Sequence, residues 1–283
     1  MPISPFTALA CPLDGKPLQR EGGSWRCADG HVFDIASQGY THLLPVQNKR
    51  SRDPGDSKEM VAARRRFLTA GYYAPIAAAV NRAVLDNLPA GTTSSCLDAG
   101  CGEGYYLRQL AAALPPEQHL SLLGLDISKW AVQAAARAEK QGGWVVGTNA
   151  RLPILAQTLD CVLCLFGFPV YPEFARVLKP GGVLVQVDAG PDHLRELREI
   201  IYPVLKAERK AAQTEIPGFV TVDETTVRFS VAIEAQESIA DLLAMTPHLY
   251  RATPEGRARA AALNTLNTTA EVKIVVWRRM IQD

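Results

Sequence analysis

The stretch Leu97-Asp98-Ala99-Gly100-Cys101-Gly102-Glu103-Gly104-Tyr105-Tyr106 constrains the fold more than any other part of this sequence. It follows the apolar run Ser94-Ser95-Cys96-Leu97 and opens into a helix-like segment, residues 105–114. A strand feeding a glycine-rich turn feeding a helix is the first unit of a nucleotide-binding α/β fold. Without a Cβ, the glycines let the chain turn sharply and bring its backbone against a ligand. The spacing is G-x-G-x-G, and Tyr105 stands where a G-x-G-x-x-G motif would need its last glycine. Asp98, just before the turn, would repel a pyrophosphate and attract an ammonium group. A ligand-free tight turn is the competing explanation, but three glycines within five residues are a costly way to build one.

From Thr92 onward, strand-like and helix-like patterns alternate. Strands are expected at 120–127, 144–146, 159–166 and 183–187, and helices at 129–140, 171–178 and 192–205. Ser128 is placed to cap the first of those helices, and Lys179-Pro180-Gly181-Gly182 stops the second. The tail adds a strand at 225–233, a helix at 238–244 and a last strand at 271–277. Upstream, Ser57 caps a helix that runs to Ala70 and ends at Gly71, and Tyr72-Tyr73-Ala74-Pro75 leads into a helix at 76–88. This alternation predicts an α/β fold, doubly wound around a mostly parallel sheet with helices on both faces.

With 283 residues, 47% of them hydrophobic, the chain suits one large domain with a small appendage. The expected division is 1–45 and 46–283. A formal net charge of +1 gives no global field for nucleic acid or membrane, so any RNA contact must come from a local patch. Six cysteines in a chain this long do not suggest a disulfide framework. Residues 1–10 lack the basic segment and apolar core of a secretory signal, and the best apolar run, 162–171, stops at about ten residues where a span needs about twenty. The expectation is a soluble cytoplasmic protein with no membrane partner.

Asp126 ends the strand after the glycine turn, 28 residues beyond Asp98, with Ile127 next to it. Folds of this class place an acid there to accept hydrogen bonds from ribose hydroxyls; an acid capping the next helix is the alternative. The loop Thr148-Asn149-Ala150 would flank the base, and Phe166-Gly167-Phe168-Pro169 follows the next long strand at the same sheet edge. Asp188 and His193 are the candidate catalytic groups there, although position alone gives neither a role. Cys161-Val162-Leu163-Cys164 matches C-x-x-C, but strand alternation sends its thiols to opposite faces, so both are read as core residues.

The first 45 residues are short on helical periodicity. Cys11-Pro12-Leu13-Asp14-Gly15 and Cys27-Ala28-Asp29-Gly30-His31 read as two knuckles of a metal-stapled ribbon. Two accounts are open: zinc (Zn) held by Cys11, Asp14, Cys27 and His31, or turns held by packing of Trp25, Phe33 and Tyr40. Residues 49–66 follow with seven basic and three acidic side chains, a local charge of +4. That is where phosphate contacts are expected, a solvated loop and helix face being the alternative.

Asp98 with Gly100, Gly102 and Gly104 closely resembles the first motif of Rossmann-like S-adenosylmethionine (SAM) methyltransferases. The chain as a whole resembles the 23S rRNA guanine-N1 methyltransferases, whose relatives include macrolide-resistance enzymes. The resemblance rests on Cys11-Pro12-Leu13, Cys27 with His31, Gly39-Tyr40, residues 48–56, Ala63-Arg64-Arg65-Arg66-Phe67-Leu68, the glycine stretch, Gly190-Pro191-Asp192-His193-Leu194 and Met245-Thr246-Pro247. It implies a zinc-ribbon-like domain and a SAM methyltransferase domain that together grip a hairpin loop of 23S rRNA, in a homodimer. It also implies SAM contacts at Tyr73, Gly102, Glu103 and His193, beside Asp98, Gly100, Gly104, Asp126, Ile127, Asn149 and Ala150 from the motif positions. RNA contacts are expected at Lys49, Arg50, Arg52, Arg64 and Arg65. Tyr105, Tyr106, Phe166 and Phe168 are candidates to stack on a splayed guanine. Asp14 departs from the family pattern, which has cysteine there. The Asn/Asp-Pro-Pro-aromatic motif of amino-group methyltransferases is absent, so a ring nitrogen suits the site as well as an exocyclic amine. A small-molecule methyltransferase and a non-catalytic RNA-binding module are the alternative readings.

Overall fold

The computed structural model describes residues 3–48, 51, 53–89, 91–205 and 215–281. Five short strands come first: β1 (Ile3–Pro5), β2 (Gln19–Glu21), β3 (Ser24–Arg26), β4 (Val32–Asp34) and β5 (Thr41–His42). Helices α1 (Lys58–Thr69) and α2 (Ala74–Leu85) lead into β6 (Thr93–Ala99), α3 (Tyr105–Ala112), β7 (His119–Asp126), α4 (Lys129–Ala138) and β8 (Gly143–Val146). Then come β9 (Leu159–Leu165), α5 (Tyr171–Val177), β10 (Leu178–Ala189) and α6 (Arg195–Ile201). The chain ends with β11 (Phe219–Ile233), α7 (Gln236–Ala244), α8 (His248–Arg251), α9 (Pro254–Ala261) and β12 (Leu266–Arg279).

Among the described residues, eight strands run β11-β12-β10-β9-β6-β7-β8-β5, and β1 joins the same sheet beside β7. From β10 to β5 every pairing is parallel, as is β1 on β7, whereas β12 runs antiparallel to both β10 and β11. The chain passes from β6 outward to β7 and β8, then returns to β9 on the other side. That reversal opens a crevice beyond the carboxyl ends of β6 and β9, the place where open α/β sheets bind ligands. Two apolar cores fill the two sheet faces. Cys96, Cys161, Leu163 and Val185 face one, and Leu97, Val162, Cys164 and Leu184 face the other. Cys161 and Cys164 thus lie on opposite faces, as strand alternation requires.

Local chemistry sets the elements that frame the crevice. The Ser57 hydroxyl accepts from the Met60 amide at the start of α1, and Ser128 accepts from Ala131 at the start of α4. Helix α6 is shorter than the expected 192–205. Leu194 takes a left-handed conformation before it, and Tyr202 is extended after it, as a residue preceding Pro203 prefers to be. The two tail strands are longer than expected because β11 is largely exposed, so its polar residues conceal the antiparallel pairing.

The first 45 residues divide between two sheets. Strands β2-β3-β4 form a small antiparallel sheet of their own, while β1 and β5 enter the large one. Cys11, Leu18, Trp25 and Cys27 pack in the same core as Leu97, Leu123 and Val162, which fixes the ribbon against the sheet. Among the described residues, no helix is long and apolar enough to cross a membrane.

Candidate active site and metal centre

The glycine turn bridges β6 and α3. Gly100 has φ +111° and open space where a Cβ would stand, so its bare backbone faces the crevice. Gly104 has φ +81°, and a Cβ there would lie 2.7 Å from the Trp144 ring. The third glycine of the motif is therefore required by packing under the turn. Local spacing does not reveal that requirement, because Trp144 lies forty residues further on, at the start of β8.

Asp98 is buried before this turn, 1% exposed, and among the described residues its Oδ1 has no hydrogen-bond partner. Burial, with the charge of Asp126 second, pushes its carboxyl up to about 8. Asp126 closes β7 and accepts from the Gly102 amide at 2.9 Å and the Ser128 amide at 2.8 Å. Asp126 thus ties the glycine turn to the chain just before α4, while Ser128 caps the helix itself. Glu103 is also 1% exposed; Arg108 donates to its Oε2 at 2.7 Å, while Oε1 is unpartnered. Asn149 donates to the Ala99 carbonyl at 3.1 Å, which ties the loop after β8 to the end of β6, and its Oδ1 is unpartnered. The Tyr106 hydroxyl is a fourth buried polar group without a partner beside the turn. Buried polar atoms are normally paired, so four orphans around one turn mark a place built for a polar ligand. Ile127 lies half-buried behind Asp126, and Ala150 is exposed at the rim.

An aromatic cluster stands across the crevice. The Tyr73 ring stacks near Phe166 with centroids 6.4 Å apart, and both rings face His193, at 5.9 and 5.8 Å. His193 Nδ1 accepts from the Glu271 amide at 3.2 Å, so the neutral ring carries its proton on Nε2. Nε2 then donates to the Tyr73 hydroxyl at 3.2 Å. Burial lowers the imidazole to about 4, which keeps it neutral. Sequence reasoning missed what orients this histidine. Arg228 binds the carboxylates of Glu271 and Asp192, and Gly190 packs where a Cβ would collide with Glu271. Strand β12 and the loop 190–194 are separated too far in sequence for local patterning to pair them.

Phe166 has φ +54°, a conformation bulky residues rarely adopt, and is 41% exposed at the carboxyl end of β9. Phe168 beside it is 87% exposed, whereas Tyr105 is buried. Asp188 is exposed at the end of β10 and accepts from Gln186 at 2.6 Å. Its charge and that of Asp98 both reach the Cys164 thiol, which burial pushes up to about 12.

The basic stretch divides. Lys49, Arg50 and Arg52 lie outside the described residues. Arg65 is exposed on α1, whereas Arg64 turns inward, bound to the Asp56 carboxylate and donating to the Met245 carbonyl at 3.0 Å. Arg66 forks onto Asp241 at 2.8 and 2.5 Å.

The two knuckles meet at one point. Cys11 Sγ, Asp14 Oδ2, Cys27 Sγ and His31 Nδ1 all lie within 4.8 Å of one another, with His31 Nδ1 3.1–3.5 Å from the other three and Cys27 Sγ 3.3 Å from Asp14 Oδ2. A tetrahedral zinc with bonds of about 2.0–2.3 Å holds its ligands roughly 3.3–3.8 Å apart, so the four donors fit one ion. The Lys16 amide donates to Asp14 Oδ1 at 2.9 Å, which aims Oδ2 at the centre and holds the carboxyl well below its usual range.

Residues 9–52 match the family model described as RlmA, N-terminal, a zinc ribbon, and residues 96–182 match a methyltransferase domain. The chain is 32% identical over 258 residues to the 23S rRNA (guanine(748)-N(1))-methyltransferase of Streptomyces fradiae, covering 90% of each chain. It is also 32% identical over 292 residues to a Micromonospora griseorubida protein named for 23S rRNA guanine-N(1) methylation, covering 95% of this chain and 97% of the relative. A Bacillus subtilis protein named for the same reaction is 28% identical over 277 residues, covering 96% and 97%. Identity of this level along nearly the full length, with the zinc-ribbon model matched at 9–52 and the methyltransferase model at 96–182, places the chain in the 23S rRNA (guanine-N1)-methyltransferase family.

Proposed function

We propose that this protein methylates N1 of a guanine in a hairpin loop of 23S rRNA, with SAM as donor. The carrying observation is the set of four orphaned polar groups around the glycine turn, with buried Asp98 at their centre. A cationic amino-acid end placed there would satisfy the Asp98 carboxylate. When bound, SAM supplies a methyl group already activated by a sulfonium charge.

The residues assigned to hold it are Tyr73, Asp98, Gly100, Gly102, Glu103, Asp126, Ile127, Asn149, Ala150 and His193, with Gly104 shaping the turn from below. Asp126 and Asn149 would take the nucleoside, and the Tyr73–Phe166–His193 cluster would close the side facing the acceptor. Such positioning can lower a displacement barrier by about 7–11 kcal/mol without further chemistry. Phe166 is favoured over Tyr105 and Tyr106 as the surface on which the guanine stacks, because its ring is half-exposed at the crevice and its strained backbone aims it there. Guanine N1 carries a proton that must leave. His193 has no free lone pair in this arrangement, since Nδ1 accepts from Glu271 and Nε2 bears the hydrogen. Asp188 is therefore the group proposed to take the proton.

The ribbon, residues 1–45, and the methyltransferase domain, 46–283, are proposed to grip the RNA together, with Lys49, Arg50, Arg52 and Arg65 on phosphates. A cytoplasmic homodimer is the expected form. The test is a labelled-SAM assay on undermodified ribosomal RNA beside a pool of small metabolites, with the modified position mapped by mass spectrometry. Label entering a guanine of 23S rRNA at N1 supports the reading. Label that enters a metabolite and stays out of RNA would defeat it.

A further inference from the structure

We propose that Arg64 binds the carboxylate at the amino-acid end of SAM, an inference that rests on the cofactor reading above. The composition of residues 49–66 groups Arg64 with an RNA-facing patch, yet its guanidinium points the other way. Nη1 and Cδ lie 3.5 and 3.7 Å from where a Cβ on Gly102 would stand, which sets the side chain across the glycine turn. Its charge is felt at Glu103, Tyr106 and Asp126, three groups that surround the same turn.

Charge complementarity then assigns its partner. The amino-acid end of SAM carries an ammonium and a carboxylate. Asp98, buried with a free oxygen, suits the ammonium, and the carboxylate needs a cation on the same side of the turn. Among the described residues, Arg108 is paired with Glu103 and Arg66 with Asp241, while Arg65, whose charge also reaches Glu103, is exposed on α1 and has no contact with the turn like that of Arg64 with Gly102. Arg64 donates from Nη1 to Asp56 and from Nη2 to the Met245 carbonyl. A guanidinium offers five N–H donors, so these two contacts fix its plane and leave donors for a ligand. Asp56 and Met245 come from the segment before α1 and the end of α7, so the cation is held in place before the cofactor arrives.

The experiment is calorimetric titration of the full chain with SAM and with decarboxylated SAM, which lacks the carboxylate alone. Wild type, Arg64→Met and Arg64→Lys are compared. Arg64→Met is expected to lose at least about tenfold in affinity for SAM, the low end for a hydrogen bond between charged groups, and nothing for decarboxylated SAM. Arg64→Lys, which keeps the charge but not the fork, is expected to fall between. Equal loss on both ligands would make Arg64 a structural tie between Asp56 and Met245 and overturn the proposal, and so would no loss on either. If Arg64→Met does not fold, as judged by thermal melting, the lysine variant alone carries the same comparison, a loss confined to SAM supporting the assignment and any other result overturning it. A wild-type chain that binds neither compound would refute the cofactor reading itself, an outcome separate from the failure of Arg64.

Discussion

Asp98 gives the sharpest test, because its burial must cost the ligand-free protein stability. Its carboxyl ordinarily titrates at 3.8 and in the folded chain is pushed up to about 8. The unfolded chain therefore releases the proton at a lower pH than the folded one does. As pH rises above 3.8, ionisation stabilises the unfolded state first, and the folded state falls behind until pH passes about 8. Each pH unit in that window is worth about 1.4 kcal/mol. Asp98→Asn removes the ionisation and leaves a buried polar group of the same size. The variant should exceed wild type by about 4 kcal/mol at pH 7, by less than about 2 kcal/mol at pH 5 and by about 6 kcal/mol at pH 9. In a chain of this size 4 kcal/mol corresponds to a melting shift on the order of 10 °C.

Thermal and denaturant unfolding of both proteins without ligand, at pH 5, 7 and 9, reads the gap directly. The same substitution should abolish measurable SAM binding. In wild type at pH 7, SAM binding should release on the order of one proton per chain, since an ammonium beside Asp98 requires the ionised carboxylate and the free protein holds the proton there. Calorimetry in two buffers of different ionisation heat measures that number. A variant no more stable than wild type, or a gap that does not widen with pH, would refute the burial argument. Binding without proton release would refute the pairing of Asp98 with a cation.

The metal centre predicts about one zinc per chain by elemental analysis. Asp14→Ala should lower zinc retention against a chelator and Asp14→Cys should raise it; protein prepared without chelators yet free of zinc would rule the centre out. Phe166→Gly should keep or raise the melting temperature by relieving the positive φ, while lowering kcat/KM on RNA far more than SAM affinity; an unchanged kcat/KM would remove the stacking role. Asp188→Asn should lower kcat while leaving KM for RNA nearly unchanged; a wild-type kcat in the variant would exclude Asp188 as base. Replacing Arg50 and Arg52 together with alanine should weaken RNA binding and flatten its salt dependence without altering SAM affinity, and an identical salt slope would take those residues off the phosphates.

The parts of this fold legible in the sequence are those set by local patterning. The strand–turn–helix around Gly100, the Ser57 and Ser128 caps and the opposed faces of Cys161 and Cys164 all follow from spacing over a few residues. What stayed hidden depends on partners distant in the chain. Nothing in the three residues of β1 or the two of β5 announces a strand; each exists because β7 or β8 offers a free edge. The need for glycine at 104 lies in the Trp144 ring, and the orientation of His193 lies in Glu271 and Arg228. Charge counting placed Arg64 with its neighbours, but the direction of a long side chain is decided by what it can reach, here Asp56, the Met245 carbonyl and the glycine turn.

That inward turn joins two functions that composition kept apart. Residues 55–64 of that segment reach into the crevice side of the sheet. The Asp56 carbonyl accepts from the Ser128 hydroxyl at 2.7 Å, and Gly55 rests where a Cβ would come within 2.8 Å of Ile127. Asp126, Ile127 and Ser128 form one wall of the crevice, and Arg64 returns from Asp56 to the glycine turn that forms another. A ligand that shifts residues 53–56 from outside would therefore bear on the side chains proposed to hold the cofactor within. Linkage makes such an effect reciprocal: whatever affinity one partner lends the other is returned in equal measure. The basic stretch is thus tied to the cofactor site through Asp56 and Arg64.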